Sequence, residues 1–217
     1  SLAIITAVMA IASYYGVREI QRTHGAETAV FLLIILFLYF RHHSGISLSE
    51  TLGVPLGVLG IGLIWRGMEK RSQTTAIFGL FMVAFALNTR PGAMFTLPLI
   101  LLWAGWIFRK PSEYISIRFL FWGAGVIIFS FAINTFFVRL LAGPTGTVFS
   151  NFSWALYGLA SGGNSYTYIF EKHPEVFLLQ NPEQTRTIYR LALDLIIHDP
   201  NLFIKGAIHN WTMFFSD

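Results

Sequence analysis

Phe119-Leu120-Phe121-Trp122-Gly123-Ala124-Gly125-Val126-Ile127-Ile128-Phe129-Ser130-Phe131-Ala132-Ile133-Asn134-Thr135-Phe136-Phe137-Val138 is the stretch on which the fold turns. It carries no charged side chain. A helix needs about 20 mostly apolar residues to cross about 30 Å of hydrocarbon at about 1.5 Å per residue, and this run has that length. Outward from it, five further runs share its character: Leu2–Tyr15, Thr28–Phe40, Thr51–Trp65, Thr74–Asn88 and Pro91–Phe108. Some are short, and flanking polar residues or snorkelling Arg and Lys can complete a short span. The expected fold class is all-α: a polytopic transmembrane helical bundle of about six helices over residues 1–139, with a small helical exterior cap over 140–217.

Composition supports that expectation. Of the 217 residues, 54% are hydrophobic and 12% charged, against roughly 25% charged in soluble domains. So little charge cannot coat a water-soluble particle of this length. There is no cysteine, which excludes a disulfide framework, a thiolate zinc cluster and a thiol nucleophile. The net charge of +4 is modest and its basic residues gather in loops beside apolar runs, so membrane lipid, and not nucleic acid, is the expected partner. Ser1 opens directly on an apolar run, and Asp217 stops just after Trp211-Thr212-Met213-Phe214-Phe215. Both ends read as cut from a longer chain.

The loops orient the bundle. Alternation puts Arg18, Arg22, Arg66, Lys70, Arg71, Arg109, Lys110 and Arg118 on one side and Arg41, Arg90 and Arg139 on the other. Short cytoplasmic loops carry the excess of Lys and Arg, so the first set is expected to face the cytoplasm and Leu140–Asp217 the exterior of a bacterial inner membrane. Within that exterior part, Gly143-Pro144-Thr145-Gly146 signals a turn. Asn151–Phe170 suits a surface or re-entrant segment, with Gly158, Gly162 and Gly163 breaking any long helix. Glu183–His198 has apolar Ile188, Leu191, Leu195 and Ile196 at helical spacing, with Arg186, Arg190 and Asp194 elsewhere. Asn181 is the expected cap of that helix, Pro182 lies in its first turn, and Asp199-Pro200 ends it before another helix opens at Asn201.

Four places have residue types that carry chemistry. In the short exterior turn Asn88-Thr89-Arg90-Pro91-Gly92, Arg90 offers a permanent cation with a planar fork of donors suited to phosphate; an interfacial Arg snorkelling to headgroups is the alternative. In the preceding exterior loop, Glu50 has the chemistry to accept from a sugar hydroxyl, to help hold a divalent cation or to orient an acceptor. Equally, a Glu in the first turn of a helix simply complements its dipole. The adjacent His42-His43 reads as solvated, because metal sites need convergent ligands, and no metal site is expected. Tyr166, Tyr168 and Glu171 combine sugar-stacking rings with a hydroxyl-binding carboxylate, or form an interfacial aromatic belt beside a solvated loop. His198-Asp199 suggests a base and its orienter, but sequence neighbours rarely reach that geometry and a helix stop fits better.

The order of several features resembles a known family. An acidic residue opens an exterior helix end in Ser47-Leu48-Ser49-Glu50-Thr51-Leu52, a basic loop follows in Trp65-Arg66-Gly67-Met68-Glu69-Lys70-Arg71, and then comes Gly79-Leu80-Phe81-Met82-Val83-Ala84-Phe85-Ala86-Leu87-Asn88-Thr89-Arg90-Pro91 before an apolar helix with Leu97-Pro98. Asn201-Leu202-Phe203-Ile204-Lys205-Gly206 ahead of Asn210-Trp211 adds to it. This resembles the middle of polyprenyl-phosphate-sugar-dependent glycosyltransferases of the GT-C fold, such as protein O-mannosyltransferases and the lipid A aminoarabinose transferase. The resemblance implies a polyprenyl-phosphate sugar donor, transfer at the outer face, Arg90 on the lipid phosphate and Glu50 near the sugar, acceptor or cation. Such enzymes place their main catalytic carboxylate in a first exterior loop to which nothing here corresponds, so that group is expected outside this chain. The alternative is a non-catalytic scaffold or accessory subunit of a larger membrane complex, with Arg90, Glu50 and the aromatics as interface and lipid anchors.

Overall fold

The computed structural model describes residues 2–43, 49–88, 91–143 and 147–216. Every regular element among them is helical. The chain divides into two compact units, Ser1–Asn134 and Thr135–Asp217.

The first unit holds α1 (Leu2–His24), α2 (Ala26–His43), α3 (Ser49–Glu69), α4 (Gln73–Leu87), a 3-10 segment (Pro91–Thr96), α5 (Leu97–Ile107) and α6 (Ile117–Ala142) as far as Asn134. Glycines let its helices approach to backbone contact. A Cβ on Gly60 of α3 would stand 2.8 Å from the Gly79 carbonyl of α4, and one on Gly67 would stand 2.5 Å from the Ala76 nitrogen. These pairs run in opposite directions along the two helices, so α3 and α4 form an antiparallel hairpin. On another side of α3, Gly16 of α1 abuts Val58 and Leu59, while Gly62 abuts Glu19; α1 and α3 are therefore parallel. Small residues of this kind let helices associate by close packing where apolar burial alone gives no preference.

The parallel pair is clamped at one end. Glu19 of α1 is 4% exposed, and its Oε1 accepts from Arg66 of α3 at 2.7 Å and from Arg22, one turn on, at 2.8 Å. The first loop expected between Tyr15 and Thr28 is thus mostly absent: α1 continues through Arg18 and Arg22, and Gly25 alone (φ +88°) separates it from α2. The physical reason is that Glu19 is buried with its charge met by two guanidiniums, so the polar residues extend the helix instead of ending it. Arg71 donates to the Ile107 carbonyl at 2.9 Å, bringing the start of α4 to the end of α5. Arg22, Arg66, Arg71 and Arg109 consequently collect at one end of the unit, as the alternation of runs requires. Trp65 packs against His24 and Trp103 there, at 4.8 and 6.5 Å between ring centroids, and the Arg109 guanidinium lies 4.3 Å over Trp106.

Among the described residues, two helices are long and apolar enough to cross a membrane: α3 over Leu52–Glu69 and α6 over Ile117–Leu141. The fourth and fifth runs are shorter as helices, with 15 residues in α4 and 11 in α5, because the chain turns through the 3-10 segment between them. α6 packs Phe119 against Phe108 (4.9 Å, stacked) and Ser130 against Asn88 of α4, whose Nδ2 donates to the hydroxyl at 2.8 Å. Its other faces are bare. Only 6% of its most apolar 18-residue window is buried, against 33% for α3.

The second unit packs α7 (Ser150–Ala160), the short α8 (Tyr168–Lys172), a 3-10 turn (Pro174–Leu178), α9 (Asn181–His198) and α10 (Pro200–Ser216) beside the last turns of α6. Its core is Tyr157, Ala160, Ile169, Val176, Ile188 and Ala192, with Leu191, Leu195 and Ile196 against it, so α9 buries the face its spacing predicts. Asn151–Phe170 is not one irregular segment. α7 runs through Gly158 and stops at Gly162 and Gly163, both in the left-handed region. Gly158 lies within the helix at a place only glycine fits, because the Asn164 carbonyl is 2.5 Å from where a Cβ would stand; Gly206 of α10 likewise abuts the Leu159 carbonyl. α9 starts one residue earlier than expected: Gln180 is the capping position, and Asn181 Oδ1 instead accepts from Thr185 at 3.4 Å. Asp199 serves as the stop and also starts α10, since its Oδ1 accepts from the Leu202 amide at 3.1 Å.

Two outcomes are expected from these contacts. Glu19→Ala should lower unfolding stability in detergent micelles by about 2–3 kcal/mol, somewhat under the roughly 3–5 of a fully buried pair because both arginines are part-exposed; Glu19→Gln should recover part of it, and an unchanged denaturation midpoint would remove the clamp from the account. Gly206→Val should cost about 1–3 kcal/mol by overpacking α10 against α7, read as a lower melting temperature.

Candidate anion-binding cavity

Pro182, Thr185, Arg186 and Tyr189 fall at i, i+3, i+4 and i+7 along α9 and so share one face of it. That face, the end of α6 with Arg139, and Gly143, Thr147 and Val148 enclose a cavity of about 660 Å³ within the second unit. The residues that line it include two guanidiniums and no carboxylate. Arg139 and Arg186 are both exposed. Among the described residues neither has an ion-pair partner, so their charge is free for a ligand.

The wall between α6 and α9 is held in an unusual shape. Phe149 has φ +63°, a conformation that a bulky side chain adopts only at some cost. Tyr189 pins it by donating its hydroxyl to the Phe149 carbonyl at 2.9 Å. Burial raises the Tyr189 pKa above the ordinary phenol value, so the hydroxyl stays protonated, and a donor, at neutral pH. Two residues before Phe149, the Thr147 hydroxyl is buried with no hydrogen-bond partner. An unmet buried hydroxyl costs about 1–3 kcal/mol, which a ligand oxygen in the cavity would offset. Two forked cations beside hydroxyl groups match a phosphate or another oxyanion.

None of the described residues expected from sequence to form a site lines this cavity. Arg90 falls outside the described residues. Glu50 is in the first turn of α3, and its side chain falls outside them too, as do those of His42 and His43. Tyr166 is exposed and stacks on Trp154 at 6.5 Å. Tyr168 instead packs toward Tyr157 at 6.5 Å, with the Lys172 ammonium 5.6 Å over its ring. Glu171 is exposed on α8. The two rings thus stack on different neighbours. His173 pairs with Glu175 at 3.0 Å, and hydrogen bonds from its own backbone amide and from His173 hold the Glu175 carboxyl below its usual range. His198 and Asp199 are not a base and its orienter: His198 Nδ1 is 2.8 Å from the Asp194 carbonyl, and Asp199 caps α10.

Arg139 is noted in the sequence only as an exterior cation, and Arg186 only as lying off the apolar face of α9. The signal that links them is the polar repeat 182, 185, 186, 189, which becomes a site only when α9 is set beside the end of α6. No family model matches the chain, and neither the curated proteins nor the solved structures provide a match.

Proposed function

We propose that this chain is an integral-membrane protein whose Arg139–Arg186 cavity binds the phosphate of a polyprenyl-phosphate sugar at the outer face, in glycosyl transfer of the GT-C kind. The observation that carries the reading is the position of the cavity. It lies at the end of the longest apolar helix among the described residues, where a lipid-linked phosphate would leave hydrocarbon and meet water. A helix with 6% of its apolar window buried requires an apolar surround, and lipid supplies one. The cluster of Trp65, Trp103 and Trp106 with Arg66, Arg71 and Arg109 at one end of the first unit supports a cytoplasmic interface there, since Trp and basic residues collect at such boundaries.

In this reading Arg139 and Arg186 hold the phosphate and offset charge that builds on it as the sugar–oxygen bond breaks. Thr147 donates to a phosphate oxygen. Tyr189 acts on the wall and not on the ligand. Arg90 and Glu50 retain the roles the resemblance implies, Arg90 on phosphate and Glu50 on sugar, acceptor or a divalent cation. The cavity contains no carboxylate among its lining residues, which favours binding over proton transfer at this place. The same fact favours the second reading, an accessory subunit that presents the lipid-linked sugar to a partner.

Binding of a short-chain prenyl phosphate to the purified protein in micelles tests the proposal. Arg139→Ala and Arg186→Ala should each weaken binding by about tenfold or more, as loss of a charge-assisted bidentate contact does, with Lys at either position restoring only part. Tyr189→Phe should weaken it less, by a few-fold, and cost about 1 kcal/mol of stability. Equal binding of the prenyl alcohol, or no change in either arginine variant, would overturn the phosphate assignment. Transfer of sugar by the protein alone separates the enzyme from the accessory reading.

A further inference from the structure

A second cavity, of about 580 Å³, lies between α1 and α2 in the first unit, and the phosphate proposal makes no use of it. The two helices meet at Gly25 and run antiparallel from it, so distance from Gly25 measures position along the groove. Nearest Gly25 the α1 wall presents Gln21 and Arg18; farther along, the groove is lined by Ser13, Tyr14 and Ala10, with Leu33, Phe37 and Phe40 from α2. Polarity therefore falls along its length. Arg18 is exposed and, unlike Arg22 and Arg66, takes no part in the Glu19 clamp. Among the described residues, no acidic side chain lines the groove.

Ser13 is the second, independent observation. It is 7% exposed, lines this groove, and its Oγ has no hydrogen-bond partner. A helical serine ordinarily returns its hydroxyl to the carbonyl one turn back; this one does not. Ser13 stands five residues from Arg18, which is about 7.5 Å along the axis at about 1.5 Å per residue. A headgroup phosphate and the ester carbonyl beneath it are separated on that scale.

We infer that the α1–α2 groove is a binding site for one anionic glycerophospholipid of the cytoplasmic leaflet. Its phosphate is held by Arg18 and Gln21, an ester carbonyl accepts from Ser13 Oγ, and an acyl chain runs along Leu33, Phe37 and Phe40. The inference rests on the membrane placement proposed above and is independent of the Arg139–Arg186 cavity. Charge complementarity selects the occupant: an unpaired guanidinium at the polar end and hydrocarbon at the other fit an anionic amphiphile better than a peptide helix, which would leave Arg18 unanswered.

Native mass spectrometry of the whole protein, released from micelles with added phosphatidylglycerol or phosphatidylcholine, tests this directly. One phosphatidylglycerol should be retained in preference to phosphatidylcholine. Arg18→Gln, at an exposed position that leaves the fold intact, should cut the preference about tenfold, and Ser13→Ala should reduce retention of both lipids by a few-fold, as loss of a charged and a neutral hydrogen bond respectively would. Equal retention of the two lipids, or an Arg18→Gln variant that behaves as the parent, overturns the inference. So does a dimer without lipid, which would assign the groove to a second copy. Alkaline extraction of membranes is the separate control: release of the protein into the soluble fraction would defeat the membrane reading itself, whereas retention with no lipid preference would defeat only the groove.

Discussion

The bare apolar surface of α6 is the constraint from which the account follows. Phe121 is 72% exposed and Ile128 69%, although an uncharged run as long as Phe119–Val138 in water would ordinarily be sequestered in a core. Among the described residues of the first unit, none covers those faces. An apolar surround for α6 fixes where its two ends belong, and thereby where Arg139 and the α9 face beside it would stand.

The packing has the character that such a surround demands. When the solvent is itself apolar, burying leucine gains little, and helices associate through close backbone approach and through polar contacts. The first unit uses both. Gly60, Gly67 and Gly79 bring α3 and α4 together, while the Glu19–Arg66 pair and the Asn88–Ser130 hydrogen bond tie α1 to α3 and α4 to α6. The second unit follows the rules of a small globular helical domain: one core drawn from α7 and α9, with the charged residues outside.

Much of the helical pattern was legible from residue order because it depends on local signals. The apolar run of α6, the amphipathic spacing of α9 and the Asp199-Pro200 stop all report on their own neighbourhood. What was not legible depended on tertiary partners. Glu19 reads as a loop residue until Arg66, distant in sequence, is seen to meet its charge. The stacking of Tyr166 on Trp154 and of Tyr168 toward Tyr157 likewise needs the fold. Arg139 and Arg186 share no motif; the site exists only because α6 and α9 meet. The chemistry of Arg90 and Glu50 rests on the resemblance to GT-C glycosyltransferases, and their side chains lie outside the described residues.

The most direct measurement of the central claim is photo-crosslinking with a prenyl phosphate that carries a photoreactive group near its phosphate, followed by peptide mapping. The expected result is label concentrated on the α6 segment that holds Arg139 and the α9 segment that holds Arg186, competed by the unlabelled phosphate and not by the prenyl alcohol. Label spread evenly over the exposed faces of α6, and unmoved by competition with the phosphate, would contradict it.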